Sequence, residues 1–554
     1  RPTHPVLSTP WLAATEQVSK YQNHSFINNI ALQQWSTIVR NARISQAISQ
    51  FINDNSRLNA DQVLFGRQNA FTPIELNELN AGRFIITGQY QIPGNYTALA
   101  FKTTLQPTLN QYQQLINQLS AAGVSTMALQ EFITSILNNY AKTYLNYYSN
   151  LLKSFNYKIN SISDLKLLLM ELTSINSPLR HLIKVVDINT NLPSKDKQLS
   201  FMLPVISHFN SLHSLLNNQG LTNSNYETYT MILSGIYQSI IQNTQISTAN
   251  HNNNTNINAA SSSLSKQLST VGHMALDIYT KDTNSYLEIT KNWLKNVGIP
   301  DDLTPLFKKP ILALYNLGIQ QVQAQLISVW NQQITPILYT LTSKFPFSMD
   351  SKSPVEIAEL TTKIGPNGQF WNLFKQNFKP FLIANGNQWQ TRDIDYGSII
   401  IPANILYTIN AVTHLRHTLW NQQGEPQAIH YQVLAKQLPT AIINGQNIIL
   451  SYLTLGNDDV YGINSKPIWK TLDYNWWAPQ PTSVGLETAD HKYHSYDVFD
   501  ANWGLFNILN KGDSQNGHTW NWSLPIGPSV VDIHFKFKAN PWDLFHINQE
   551  SNTI

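Results

Sequence analysis

Val531-Asp532-Ile533-His534-Phe535-Lys536-Phe537-Lys538 alternates apolar and polar residues with a period of two. In an extended chain that period sends Val531, Ile533, Phe535 and Phe537 to one face and Asp532, His534, Lys536 and Lys538 to the other, as in a half-buried β-strand. The same period starts after Glu425. Ile442 to Leu453, interrupted by Asn444-Gly445, and Gly462 to Leu472 read as strands and turns, with Asp458-Asp459 after Gly456-Asn457 as a polar hairpin tip. Pro, Gly, Asn and Trp are dense between these runs. An antiparallel β-sandwich of roughly 110–130 residues accommodates them.

Upstream the period is that of a helix. Tyr144, Tyr148, Leu151, Leu152 and Phe155 fall on one face, with Lys142, Asn146, Ser149 and Lys153 opposite. Ser161 and Asp164 have capping-box spacing before Leu165 to Leu172. Ile289, Trp293, Leu294 and Val297 make another face, ended by Gly298-Ile299-Pro300. Ser353-Pro354-Val355-Glu356 reads as a helix start, Gly365-Pro366-Asn367-Gly368 as a turn, and Phe370, Phe374 and Phe378 as a helical stripe. From Thr244 to Ser265 the chain becomes rich in Asn, Ser and Thr, a composition that buries little apolar surface and reads as a linker. The fold class is therefore α+β and multidomain, helical through the N-terminal two-thirds or more, with an antiparallel β-sandwich at the C-terminal end. The expected divisions are helical subdomains over 1–243, a linker over 244–265, a second helical region over 266–425 and the β-domain over 426–550.

Composition excludes several functions. Of the 554 residues 42% are hydrophobic and 12% charged, against about 25% charged in an average soluble domain. Net charge is +3, without the basic stripe that nucleic-acid binding needs. No cysteine is present, which excludes disulfides, thiol catalysis and cysteine-ligated zinc. Gly-x-x-x-x-Gly-Lys-[Ser/Thr], His-Glu-x-x-His and Gly-x-Ser-x-Gly are all missing. His491 and His494 with Asp490 and Asp497 form the densest cluster of metal-ligand residue types, and Asp458-Asp459 is a second acidic pair. Both read as solvated loop chemistry, so no catalytic, cofactor or metal residue is assigned. No apolar run of membrane-spanning length occurs, and the chain opens on Arg1, so it reads as an excised or processed piece with any targeting segment or membrane anchor upstream.

Several C-terminal segments resemble the IcmF/TssM family, in the family's order. Lys344-Phe345-Pro346-Phe347 resembles its Tyr-Pro-Phe element. Ile364-Gly365-Pro366-Asn367-Gly368-Gln369-Phe370 through Pro380-Phe381 resembles its Gly-Pro-Gly-Gly turn and following helix. Ala411 through Arg416 to Trp420 and Gly424-Glu425-Pro426 are similar to the lead into its β-domain. Asn444-Gly445-Gln446, Asn502-Trp503-Gly504-Leu505-Phe506-Asn507-Ile508-Leu509 and Asn540-Pro541-Trp542 resemble motifs within that domain. Asn507 stands where the family has arginine, and Trp476-Trp477-Ala478-Pro479 is the nearest match to its Trp-Pro-Gly. The resemblance covers about the last two-fifths of the chain and leaves open a type IVB or a type VI system.

The resemblance implies a non-enzymatic scaffold without cofactors, the periplasmic portion of an inner-membrane protein of a Gram-negative bacterium. It would meet a DotU/TssL-like inner-membrane protein through a region absent here and an outer-membrane lipoprotein through the β-domain, and would assemble as a homo-oligomer. Tryptophan is the residue type from which partner contacts are sought, being enriched at interface hot spots. Trp476, Trp477, Trp520 and Trp522 are the candidate partner-binding residues, because adjacent Trp476 and Trp477 point to opposite faces if extended and Trp520 and Trp522 share one. The alternatives are a carbohydrate-active protein whose Trp-rich β-domain binds glycan, and a surface adhesin.

Overall fold

The computed structural model describes residues 30–66, 71–80, 82–193, 197–216, 225–249, 264–436, 442–443, 445–463 and 466–548. The chain divides into two units, Arg1–Asn256 with Thr270–Gly318, and Ile257–Ser269 with Ile319–Ile554. The centre of the expected 244–265 linker, 250–263, lies outside the described residues, as does Asn444; the helix Asn225–Ala249 enters that span from one side.

The first unit is helical. Its long helix Met127–Ser154 buries Tyr140, Tyr144 and Tyr148, four residues apart on one face. Each hydroxyl donates to a main-chain carbonyl: Asn95 at 2.8 Å, Asn189 at 2.6 Å and Tyr96 at 2.9 Å. Burying a phenol requires such a partner, and here the three hydroxyls tie the helix to the short 3-10 turn Gly94–Tyr96 and to the end of the helix Pro178–Thr190. Phe155 leaves the helix and opens a short strand, Phe155–Tyr157, paired with Phe84–Ile86. Ser161 caps the helix Ile162–Thr173, its hydroxyl accepting from the Asp164 amide at 3.1 Å. The helix Tyr286–Val297 ends at Gly298 in the left-handed conformation. Its buried face is Leu287, Thr290, Trp293 and Leu294. Ile289, assigned to that face by periodicity, is exposed, and Val297 is half-buried.

The second unit joins short helices to the β-domain. The helix foreseen at Ser353 starts instead at Ile357, with Glu356 as its N-cap. Phe345 explains the delay: its amide donates to Ser353 O at 2.9 Å and its carbonyl accepts from the Val355 amide at 2.8 Å, holding 353–355 extended. The Gly365-Pro366-Asn367-Gly368 turn is present. A Cβ at Gly365 would lie 2.4 Å from Thr361 O, and one at Gly368 2.7 Å from Lys363 O, so only glycine fits at either place. Phe370, Phe374 and Phe378 are all buried, but the run passes from the helix Gln369–Leu373 through a π-turn at Phe374–Phe378.

The β-domain contains β1 (Ile429–Ala435), β2 (Ile442–Ile443), β3 (Gln446–Leu455), β4 (Asp458–Ile463), β5 (Lys470–Tyr474), β6 (Gln480–Thr488), β7 (Tyr493–Ala501), β8 (Asp513–Gln515), β9 (Thr519–Ile526) and β10 (Ser529–Phe537). Two antiparallel sheets form, one ordered β4-β3-β6-β7 with β2 on β3, the other β5-β1-β10-β9-β8. They pack face to face, and β10 behaves as its alternation requires, burying Val531, Ile533, Phe535 and Phe537. Facing them from the first sheet are Leu453, Leu455, Val460, Val484 and Leu486.

Candidate functional site

Trp476, Trp520 and Trp522 are buried within the β-domain, and Trp477 alone of the four candidates is half-buried. Trp520 and Trp522 do share a face, the inner one, against Phe537 and Phe535. Three indole N–H groups are spent internally: Trp476 on Gln427 O at 3.0 Å, Trp522 on Ile508 O at 2.8 Å and Trp503 on Val355 O at 2.8 Å.

Several of the segments singled out by resemblance converge on one aromatic cluster, while Phe370, Phe374 and Phe378 pack apart from it, around Trp330, Trp371 and Trp389. Phe345 and Phe347 pack edge-on against Trp542 and Phe545, with ring centroids at 5.9 and 5.1 Å. Phe506 touches Trp542 at 5.1 Å and Phe545 at 4.9 Å, and Trp503 touches Phe545 at 5.6 Å. Trp503 lies parallel to Trp476 at 6.3 Å, which meets Trp420 at 5.1 Å. Motifs two hundred residues apart are thus packing partners, and their spacing records a core.

The outer face of the first sheet is exposed and rich in apolar residues. Register places Tyr461, Tyr452, Gly485 and Ser495 in one row across β4, β3, β6 and β7, and Ile463, Leu450, Glu487 and Tyr493 in the next. A third row on the same face holds Asp459, Thr454, Ser483 and Val498. Tyr461 (47%), Ile463 (52%), Val498 (61%) and Tyr493 (65%) are all exposed. Sequence reasoning missed this face because its members come from four strands and only register aligns them.

Two members are buried although they point outward. Tyr452 lies flat across Gly485, where a Cβ would sit 2.5 Å from its hydroxyl; that hydroxyl shares a 2.7 Å hydrogen bond with Ser495 Oγ, and its ring meets Tyr493 edge-on at 5.9 Å. Glu487 is only 7% exposed. Its Oε1 is 3.0 Å from His491 Nδ1, and the Tyr493 hydroxyl donates to its carboxylate, whose charge raises the Tyr493 pKa. The Tyr461 hydroxyl donates to Asp459 Oδ2 at 2.8 Å, which raises its pKa likewise.

At the edge of this face an open groove of about 290 Å³ is lined by Tyr461, Ile463, Lys466, Ile468, Trp469 and Lys470, the Lys470 ammonium donating to the Asp459 carbonyl. At the other edge, hydrogen bonds from Thr488 and Lys492 hold the Asp490 carboxyl down to about 2. His491 and Asp490 are therefore engaged within the β6–β7 turn. Asp458, the other acidic position noted, accepts from the Asp473 amide at 3.0 Å. No group of three or more His, Asp or Glu side chains converges among the described residues, and no helix among them is long and apolar enough to cross a membrane.

The fold is similar to a solved chain of a type VI secretion system membrane core complex. The TM-score is 0.55 at 15% identity, over 88% of this chain and 96% of that one. A second structure, described as a type VI membrane complex, aligns with a TM-score of 0.49 at 16% identity over 77% of this chain and 82% of its own. The C-terminal domain of the type VI secretion protein TssM from EAEC aligns with a TM-score of 0.31 at 16% identity over 41% of this chain and 95% of its own. No family model and no curated protein matches the sequence. At such identities the likeness to the membrane core chain is one of fold alone.

Proposed function

We propose that this chain is a non-enzymatic structural component of a bacterial secretion-system envelope complex, IcmF/TssM-like, working in the periplasm. The observation that carries the reading is the fold likeness to a type VI membrane core chain across 88% of this one. An alignment over nearly the whole of both chains is a more demanding match than one confined to a part of either. Convergence of the family-like segments at 345–347, 420, 476, 503–506 and 542 on one aromatic cluster supports the same reading, since it supplies a packing reason for the collinearity of those segments.

In this role the helical region spans distance and the β-domain docks outer-membrane components. The region upstream of Arg1 anchors the protein in the inner membrane and meets a DotU/TssL-like protein, and several copies assemble together. Trp477 retains its place as a partner-contact residue because it is only half-buried. The carbohydrate reading loses support from the burial of Trp476, Trp503, Trp520, Trp522 and Trp542, rings that a stacking platform would need in solvent.

The test is affinity purification from detergent-solubilised envelopes, with the tagged full-length protein beside a version lacking Ala428 to Ile554. Secretion-system envelope proteins should co-purify with the first, and the outer-membrane partner should be lost from the second. Absence of every secretion component from both preparations would overturn the reading.

A further inference from the structure

Across β4, β3, β6 and β7 the outer rows carry acid and aromatic residues but no lysine or arginine. Asp459, Glu487 and, in the row beyond Ser483 and Val498, Asp500 supply negative charge; Tyr461, Ile463, Tyr493 and Val498 supply exposed apolar area. The nearest cations lie at the edges: Lys492 pairs with Asp490 at 3.0 Å, Lys470 reaches the Asp459 carbonyl, and Lys466 lines the edge groove. A carboxylate as covered as Glu487 calls for strong compensation, because desolvation costs a charge far more than a neutral group. Inside the chain it receives one imidazole, itself 83% exposed, and one phenol hydroxyl, which leaves acceptor capacity on the carboxylate.

We propose that this face docks a partner protein that presents an arginine to Glu487, with Tyr461 and Tyr493 packing around the guanidinium and its apolar flank. Arginine suits the site better than lysine, since its planar fork matches a carboxylate and stacks on aromatic rings. Exposed tyrosine and isoleucine around one covered charge follow the pattern of interface hot spots, an anchor surrounded by contacts that exclude water. A second copy meeting this face with its own would oppose carboxylate to carboxylate, which disfavours an isologous dimer. The inference deepens the envelope-scaffold reading and rests on it only for the compartment in which the partner is sought.

The experiment places the photo-crosslinking residue p-benzoylphenylalanine at Val498 of the full-length protein in its native envelope and maps the adduct by mass spectrometry. The expected result is one adduct peptide carrying an arginine, its yield falling roughly tenfold or more in Glu487→Gln and in Tyr493→Ala at unchanged melting temperature. Tyr493→Ala alters an exposed side chain, so it keeps the test decisive if Glu487→Gln fails to fold. Exchange of charges, Glu487→Arg with the mapped arginine changed to Glu, should restore the yield. No adduct, an adduct on a second copy, or one indifferent to both substitutions would overturn the proposal. The two readings separate by outcome. An arginine-dependent adduct on a protein foreign to any secretion apparatus keeps this one and sinks the scaffold, while an indifferent adduct on a secretion component does the reverse.

Discussion

At the scale of the residue, two positions show how narrowly the β-domain is fitted. Gly485 is the floor on which Tyr452 lies. A Cβ there would stand 2.2 Å from the His494 carbonyl oxygen and 2.5 Å from the Tyr452 hydroxyl, and the carbonyl belongs to a paired strand that cannot swing away. Gly485→Ala should lower stability by about 1–3 kcal/mol, the usual cost of overpacking, and release Tyr452 into solvent. Chemical denaturation with tyrosine fluorescence would register both; an unchanged midpoint would mean that β6 and β7 separate more easily than their register implies. Trp503 tests the opposite error. Its indole satisfies the Val355 carbonyl at 2.8 Å, across 148 positions of sequence. Trp503→Phe keeps an aromatic ring but strands that carbonyl, at a cost of about 1–3 kcal/mol. Trp503→Ala also empties the centre of the aromatic cluster and should cost about 3–5 kcal/mol. If the two variants melt together, the hydrogen bond and not the ring volume dominates.

At the scale of the element, β7 is an edge strand nine residues long with its outer side unpaired by any other described strand. Such an edge invites pairing with another chain. Two features blunt it. From Gly485 to Ser483 β6 advances two residues while its partners in β7, Ser495 to Val498, advance three, so β7 carries a bulge, and Asp497 lies within it. Asp497→Val should leave the fold intact but promote association, seen as earlier onset of light scattering on heating; unchanged scattering would assign the protection to the bulge alone. Elements also show how much of this molecule could be read from residues in a row. The strand β10, the Ser161 cap and the Gly298 stop were legible because local period or local backbone chemistry decides them. The helix start at Ser353 was not, because hydrogen bonds from Phe345, eight residues upstream, override a sound local signal. Neither was the full face of Tyr286–Val297, where Thr290 is buried and Ile289 exposed: the covered stripe runs through Leu287, Thr290, Trp293 and Leu294, and a threonine at a core position gives no apolar signal. The outer face of the β-domain was illegible for a different reason, since Tyr452, Tyr461, Glu487 and Tyr493 become neighbours only through register.

At the scale of the whole molecule, the two units are not consecutive stretches of chain. The second unit owns Ile257–Ser269, the chain then contributes Thr270–Gly318 to the first, and it returns at Ile319. A unit assembled from separated segments needs contacts that hold the outlying piece, and one is defined at the level of atoms. The Leu264 amide donates to Asn377 Oδ1 at 2.6 Å, while Asn377 Nδ2 donates to Leu373 O at 2.9 Å, and the asparagine is fully buried. The Leu264 amide and the Asn377 oxygen sit out of water, so neither has a cheap substitute partner. Asn377 belongs to the π-turn Phe374–Phe378, whose Phe374 and Phe378 pack on Phe370 and Trp330. The outlying segment is thereby fastened to the aromatic stripe of its own unit. In the full chain, Asn377→Ala should reduce stability by about 1–3 kcal/mol and, more tellingly, accelerate amide exchange at Leu264 while the amides of β9 and β10 keep their protection. Hydrogen–deuterium exchange read peptide by peptide separates the outcomes. Faster exchange confined to the Leu264 peptide would show that this bond holds the segment, uniform acceleration would show that Asn377 instead supports the unit's core, and no change at Leu264 would refute the tether.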